Sequence, residues 1–162
     1  MERRQVMFAM AAATLLPVAG QAFAQRKGIE KDKLKALMGG DFATATSELA
    51  AAKAKNRMVK TFAELEIAEQ AAVAKAFGSK PGAAGLSEKH AAMVQKLQAA
   101  EGAQFDIMYI NGQIDGHEEL MAIHQTYASS GDDPMARGAS IVGVTGIQSH
   151  LVMLKTIKSM LS

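Results

Sequence analysis

Histidine and carboxylate side chains fall on helix faces that are otherwise apolar, and they are the residues of this sequence best suited to chemistry. Residues 105–128 have the periodicity of one helix. At about 100° per residue, Asp106, His117 and His124 lie in the middle of its broad apolar face. Such side chains rarely enter a core unless they are paired or coordinated. The stretch therefore predicts a polar site inside the fold.

The same pattern recurs on two other predicted helices. Glu66 and Glu69 lie within the apolar arc of residues 57–77, and His150 lies at the centre of the arc of residues 134–160. All four histidines are predicted to face inward, where burial should keep them neutral. Imidazole and carboxylate groups are ligands of divalent metal ions. The candidate metal ligands are Glu66, Glu69, Asp106, Tyr109, His117 and His150.

Two interpretations of these inward groups remain open at this point. They could form a hydrogen-bonded network that only fixes helix register, or they could bind a metal ion or another ligand. His117 and His124 are separated by about 10.5 Å along the helix axis, so they cannot both coordinate one ion. His117 could share a layer with His150 and a carboxylate of the 57–77 helix, but the sequence does not give their packing register.

The composition narrows the choice of cofactor and of function class. The chain has no cysteine, which excludes thiolate zinc sites, iron–sulfur clusters and covalently attached haem. The inward methionines show no clustered copper motif and are predicted to fill the core. A divalent metal ion is the cofactor to test first, while a b-type haem with His117 or His150 as an axial ligand stays open. No nucleophile–base pair is visible, so no catalytic residue is assigned and an enzyme is the least favoured class.

The first 24 residues have the features of a signal peptide. Arg3 and Arg4 precede an apolar run over residues 6–19, and small residues at 22 and 24 fit cleavage after Ala24. We therefore expect an exported protein of the periplasm or envelope, without any other membrane-spanning segment. Removing the signal peptide lowers the net charge from +2 to +1. So small a charge does not indicate nucleic-acid binding. An envelope protein or a second copy of the chain remains open as a partner.

Helical periodicity and alanine content predict an all-α fold. After the signal peptide, residues 25–40 are predicted to be a mobile N-terminal segment and residues 41–162 a helical domain. Asp41 is predicted to cap the first helix. Long helices with short connections favour an antiparallel four-helix bundle with an extra short helix or kinked segment. The helices are predicted over residues 41–55, 57–77, 87–100, 104–128 and 134–160.

Several stretches of the chain resemble one family of exported bacterial proteins. They are "DF" (41–42), "LAAAKAKNRMVKTFA" (49–63), "FDIMYINGQIDGHEEL" (105–120), "TYA" (126–128) and "GIQSHLVML" (146–154). On these stretches the chain resembles the domain of unknown function 4142 family, whose members are often labelled predicted outer-membrane proteins. The resemblance implies a ferritin-like four-helix bundle, export and no established reaction.

One departure from the family pattern affects the candidate site. The family usually has Asp-His on the second long helix, where this chain has Glu69-Gln70. The positions corresponding to Asp106, Tyr109, His117 and His150 are kept. The chain also lacks the Glu-x-x-His motif of di-iron bundles. The resulting hypothesis is an exported helical protein with a buried His/carboxylate site; the alternative is a structural or interaction protein of the envelope.

Overall fold

The computed structural model describes residues 31–161, and every regular element among them is an α-helix. Within this range no residue lies in a β-strand. No helix there combines the length and hydropathy needed to cross a bilayer. The five helices are α1 (Lys31–Lys53), α2 (Arg57–Ala76), α3 (Glu88–Ala99), α4 (Gly102–Ser130) and α5 (Pro134–Met160). The all-α prediction is confirmed.

Helices α2, α3 and α5 begin where their capping residues predict. The side chain of Asn56 accepts hydrogen bonds from the first turn of α2, and Ser87 does the same for α3. Asp133 caps α5, with Pro134 at the first helical position, where its missing N–H costs nothing. These caps are local interactions, and the predicted starts of α2 and α5 are accordingly confirmed.

Helix α1 starts earlier than predicted. It begins at Lys31, so residues 31–40 of the segment predicted to be mobile are helical. Residues 25–30 and the predicted signal peptide lie outside the described residues. Gly39 and Gly40 lie inside this helix, where Gly39 allows a close contact: an added Cβ at Gly39 would lie 2.6 Å from the Leu120 side chain. The prediction that Asp41 is an N-cap is therefore wrong.

Asp41 instead anchors the loop between α2 and α3. It is buried inside α1, and its carboxylate accepts hydrogen bonds from the backbone N–H groups of Gly82 (2.6 Å), Ala84 (2.9 Å) and Gly85 (2.7 Å). Gly82 and Gly85 both have positive φ, a conformation that glycine adopts without strain. One carboxylate therefore fixes a loop that has little secondary structure of its own.

Replacing Asp41 with alanine is expected to destabilise the protein by about 1–2 kcal/mol, because three N–H groups lose a charged acceptor and water replaces it only in part. Urea unfolding would measure the loss. Limited proteolysis should cut the variant first within residues 78–86. Asp32→Ala, at a half-exposed aspartate of the same helix, is the matched control. Equal protease resistance of both variants would contradict this role for Asp41.

The four long helices form a closed ring of neighbours: α1 packs against α2 and α4, α4 packs against α5, and α5 packs against α2. In the α4–α5 pair, His117 contacts His150. His124, which lies later in α4, contacts Ser140, which lies earlier in α5. The two helices are therefore antiparallel. The shorter helix α3 packs on the outside against α1 and α4.

Several apolar residues predicted to be buried are exposed. On α2, Leu65 is 56% exposed, and on α5, Val142 is 73% exposed. Met58, Met153 and Met160 are also exposed, so the prediction that they fill the core is wrong for these three. The apolar arcs of α2 and α5 are wider than the surface that their neighbours cover. An uncharged face is left on the outer side of the α2–α5 pair.

Candidate metal centre

Three side chains from three different helices meet inside the fold. Glu66 comes from α2, His117 from α4 and His150 from α5, and one ligand atom of each lies within 4.8 Å of the other two. Glu66 and His117 are fully buried, while the His150 side chain is 14% exposed. Phe62 packs against both imidazoles and closes one side of the cluster. The sequence left open whether His117 shares a layer with His150 and a carboxylate of α2; in the structure the three side chains meet, and the carboxylate is that of Glu66.

The distances between the three ligand atoms suit a single metal ion. Glu66 Oε2 lies 3.2 Å from His150 Nδ1 and 3.5 Å from His117 Nε2. The two imidazole nitrogens are 3.2 Å apart. Ligands bound at about 2.0–2.1 Å in a tetrahedral arrangement lie about 3.4 Å from one another. An ion placed between these atoms would require little movement of the side chains.

The ring nitrogen of His117 that points away from the cluster, Nδ1, is hydrogen-bonded within its own helix. Nδ1 lies 2.8 Å from the backbone carbonyl oxygen of Gln113, one turn earlier in α4. Because a carbonyl can only accept, Nδ1–H is the donor, and the neutral ring then keeps its lone pair on Nε2. That lone pair lies on the side of Glu66 and His150. A carbonyl on the outer nitrogen is a frequent second partner of metal-bound histidine.

The side chains of Glu66 and His150 are also oriented by partners on their outer atoms. Gln70 Nε2 donates a hydrogen bond of 2.9 Å to Glu66 Oε1. Glu69 Oε2 lies 3.2 Å from His150 Nε2. Glu66 Oε2 is buried within ion-pair distance of both imidazoles, yet it is in strict hydrogen-bond geometry with neither. Each of the three residues is therefore oriented through its outer atom, and its inner atom faces the cluster.

Charge pairing determines the protonation of the cluster when no metal is present. Burial opposes ionisation of Glu66, but the imidazoles of His117 and His150 outweigh it and lower the pKa of Glu66 from 4.5 to about 2. Contacts with Glu66 and Glu69 raise the pKa of His150 from 6.5 to about 10. The expectation that every inward histidine is neutral is therefore wrong for His150, because two carboxylates stabilise its imidazolium.

Two of the predicted ligands lie away from this cluster. Asp106 accepts hydrogen bonds from the backbone N–H groups of Lys55 (3.2 Å) and Asn56 (2.8 Å), and so fixes the α1–α2 connection. The hydroxyl of Tyr109 is 2.9 Å from that of Ser47, and burial raises the Tyr109 pKa. Both residues are buried as predicted, but their polar atoms serve contacts within the fold.

The remaining histidines also lie outside the cluster. His124 Nδ1 is 3.0 Å from the Ser140 hydroxyl, and its ring packs edge-on against Phe77. His90 stacks on Phe42 with ring centroids 4.3 Å apart. His117 and His124 thus have separate partners, as expected from their distance of about 10.5 Å along the helix axis. The sequence marked Gln70 only as part of the Glu69-Gln70 departure from the family pattern, and its hydrogen bond to Glu66 was not predicted.

The described residues define an all-helical protein with a buried centre of two histidines and one glutamate. The family model described as Domain of unknown function (DUF4142) matches residues 20–157. The chain belongs to this family, as the resemblance of its motifs predicts. No curated protein and no solved structure matches the chain.

Proposed function

We propose that the protein is an exported, ferritin-like four-helix bundle that binds one divalent transition-metal ion. The ligands would be Glu66 Oε2, His117 Nε2 and His150 Nδ1. Export is supported by the signal-peptide features of residues 1–24, and the bundle by the ring of contacts among the four long helices. No catalytic step is assigned to the site.

One observation carries this proposal: the three inner ligand atoms converge while each outer atom has its own partner. Gln113 holds His117, Gln70 holds Glu66, and Glu69 lies beside the outer nitrogen of His150. Partners of this kind set the tautomer and orientation of metal ligands. Glu69, predicted as a ligand, would then act by positioning His150. Asp106 and Tyr109 are not in the proposed ligand set because their polar atoms have other partners.

The donor atoms indicate the class of ion. Two imidazole nitrogens and one carboxylate oxygen suit Zn²⁺, Cu²⁺ or Ni²⁺, whereas Mg²⁺ and Ca²⁺ prefer oxygen ligands throughout. Three protein ligands leave a fourth coordination position for water or an exchangeable ligand. The centre has no thiolate ligand, because the chain has no cysteine.

Elemental analysis of the protein purified from the periplasm, expressed with its own leader and without a tag, tests the proposal. We expect near-stoichiometric metal in the wild type and loss of the metal in His117→Ala. His124→Gln is the matched control, because it removes a buried histidine outside the cluster. Calorimetric titration of the stripped protein with Zn²⁺ should give the same ranking. A wild type that binds no ion in either experiment would overturn the proposal.

A structural network is the second candidate, and one observation favours it. Without metal, the imidazolium of His150 is already balanced by Glu66 and Glu69. A network of this kind would stabilise the bundle without any ligand. In that case His117→Ala would lower the melting temperature, and added Zn²⁺, Cu²⁺ or Ni²⁺ would leave the melting temperature of the wild type unchanged.

A further inference from the structure

A cavity lies between the short helix α3 and the long helices α1 and α4, apart from the metal centre. Its volume is about 300 Å³, and its lining residues come from these three helices. Helix α3 packs on the outside of α1 and α4, and within α3 only Leu97 is fully buried. The loose packing of α3 leaves this space open beneath it. None of the three proposed metal ligands lines the cavity.

Two glycines of α4 make the cavity possible. Gly112 and Gly116 are one turn apart on the side of α4 that faces α3. An added Cβ at Gly112 would lie 2.8 Å from Met93 Cε, and one at Gly116 would lie 3.1 Å from Phe42 Cε1. Phe42 and Met93 therefore pack directly on the backbone of α4, and the ring of His90 stacks on Phe42. Together they give the cavity an apolar floor that suits an aliphatic or aromatic group.

One ring nitrogen of His90, which is a lining residue of the cavity, has no partner in the protein. Burial lowers the pKa of His90, so the ring is neutral. Its Nε2 lies 3.5 Å from Glu119 Oε2, which places the ring proton on this nitrogen and leaves a lone pair on Nδ1. Nδ1 is buried, and no described residue donates a hydrogen bond to it. Ordered water or a bound molecule commonly satisfies such an atom.

The rim of the cavity offers one positive and one negative group to a ligand. At one end, Lys89 and Glu119 form an ion pair with each other. Helices α3 and α4 are antiparallel, because Glu119 contacts the start of α3 whereas Gly112 lies beside its middle. Lys96 therefore lies towards the other end. Lys96 and Asp115 line the cavity and are exposed, and among residues 31–161 neither belongs to an ion pair.

We propose that this cavity binds a free amino acid with an apolar side chain, whose carboxylate pairs with Lys96 and whose ammonium group pairs with Asp115. The two unpaired charges of the rim complement the two charges of a zwitterion, and the floor formed by Phe42 and Met93 receives its side chain. The volume is at the lower end of the ~300–1,000 Å³ typical of ligand pockets, which suits an amino acid rather than a lipid or a haem.

Isothermal titration calorimetry of the metal-free chain, purified from the periplasm and dialysed free of small molecules, tests this site separately from the metal centre. We expect phenylalanine and leucine to bind with a Kd of about 1 mM or tighter. Phenethylamine, which lacks the carboxylate, and hydrocinnamate, which lacks the ammonium group, should each bind at least about tenfold more weakly than phenylalanine. Equal affinity for phenylalanine and both analogues, or no binding of either amino acid, would overturn the proposal.

Two substitutions on the rim test which charge each group contacts. Lys96→Met should weaken the binding of phenylalanine about tenfold and leave that of phenethylamine unchanged, because phenethylamine has no carboxylate. Asp115→Asn should weaken phenylalanine and leave hydrocinnamate unchanged. Lys60→Met, at an exposed lysine of α2 outside the cavity, is the matched control. If Lys96→Met weakens phenylalanine and phenethylamine equally, the assigned contact between Lys96 and the carboxylate is wrong.

A third substitution blocks the cavity itself. Ala92 is an exposed lining residue of α3, so Ala92→Phe should occupy the space and abolish the binding of phenylalanine without disturbing the core. Ala99→Phe is the matched control, because Ala99 is an exposed alanine of the same helix that does not line the cavity. Circular dichroism checks that both variants fold. Undiminished binding in Ala92→Phe, or equal loss in both variants, would place the amino acid elsewhere and overturn the proposal.

Discussion

Replacing Glu66 with glutamine is expected to lower the free energy of unfolding of the metal-free protein by about 3 kcal/mol at neutral pH. The carboxylate is fully buried and lies between the imidazoles of His117 and His150. Glutamine keeps the shape of the side chain and can still accept the hydrogen bond from Gln70, but it removes the negative charge. The imidazolium of His150 would then lose the fully buried one of its two counter-charges and keep only Glu69.

The size and the pH range of this effect follow from the Glu66 pKa. The folded value of about 2 is lower than the ordinary value of 4.5. At 1.36 kcal/mol per pKa unit, this difference corresponds to about 3 kcal/mol of stability. Because the folded pKa is lowered, the contribution is complete above pH 4.5 and is lost as the pH falls towards 2. The wild type and the variant should therefore converge in stability at strongly acidic pH.

Urea unfolding of the metal-free protein at several pH values would measure this difference. Glu64→Gln is the matched control, because Glu64 is an exposed glutamate on the same helix and its loss should change stability by less than about 0.5 kcal/mol. If Glu66→Gln is as stable as the wild type at neutral pH, the cluster contributes nothing to folding. The pairing of Glu66 with the two histidines would then need another explanation.

The helices could be predicted from the sequence wherever their ends depend on local chemistry. Asn56, Ser87 and Pro134 act through hydrogen bonds or ring geometry within one turn, so their effect is visible in a few residues. Asp41 shows where this method fails. An Asp after two glycines is typical of a helix start, but its carboxylate binds a loop more than 40 residues later. Only the tertiary structure brings that loop close.

The sequence was sufficient to predict which residues of the candidate site face inward, but not how these residues are arranged relative to one another. Periodicity correctly placed Glu66 and His117 in the interior and His150, which is 14% exposed, beside them. It could not give their relative heights, since helix register depends on the packing of long-range neighbours. Asp106 illustrates the consequence: it is as deeply buried as the cluster, yet its height along α4 places it at the α1–α2 connection.

The wide apolar arcs of α2 and α5 were the other source of error. A helical wheel shows how many positions are apolar, but it does not show how much of the arc a neighbouring helix covers. Leu65 and Val142 belong to arcs that also contain core residues, and they lie beyond the contact between α2 and α5. These positions are exposed because the contact between α2 and α5 covers only part of each arc.

Acid is expected to destabilise the metal-free protein through His124, by roughly 2 kcal/mol between pH 6.5 and 5. Burial lowers the pKa of His124 from 6.5 to about 4, although the charge of Glu69 opposes the change. In this range the unfolded chain binds a proton at residue 124 and the folded protein does not. Stability is therefore complete above pH 6.5 and is lost as the pH falls towards 4. Burial also lowers the pKa of His90, which adds to the loss.

Unfolding free energies of the wild type and His124→Gln, measured by urea at pH values from 5 to 9, would test this assignment. In the variant, the free energy of unfolding should fall much less as the pH is lowered, and the remaining decrease should be that caused by His90. The stability that His150 contributes changes with pH in the opposite direction. Its pKa in the folded protein is about 10, so it remains protonated there, and its contribution to stability declines as the pH rises above 6.5. The metal-free wild type should thus be most stable near pH 6.5. An unchanged acid slope in His124→Gln would show that the His124 imidazole is hydrated in solution, because only its burial lowers its pKa.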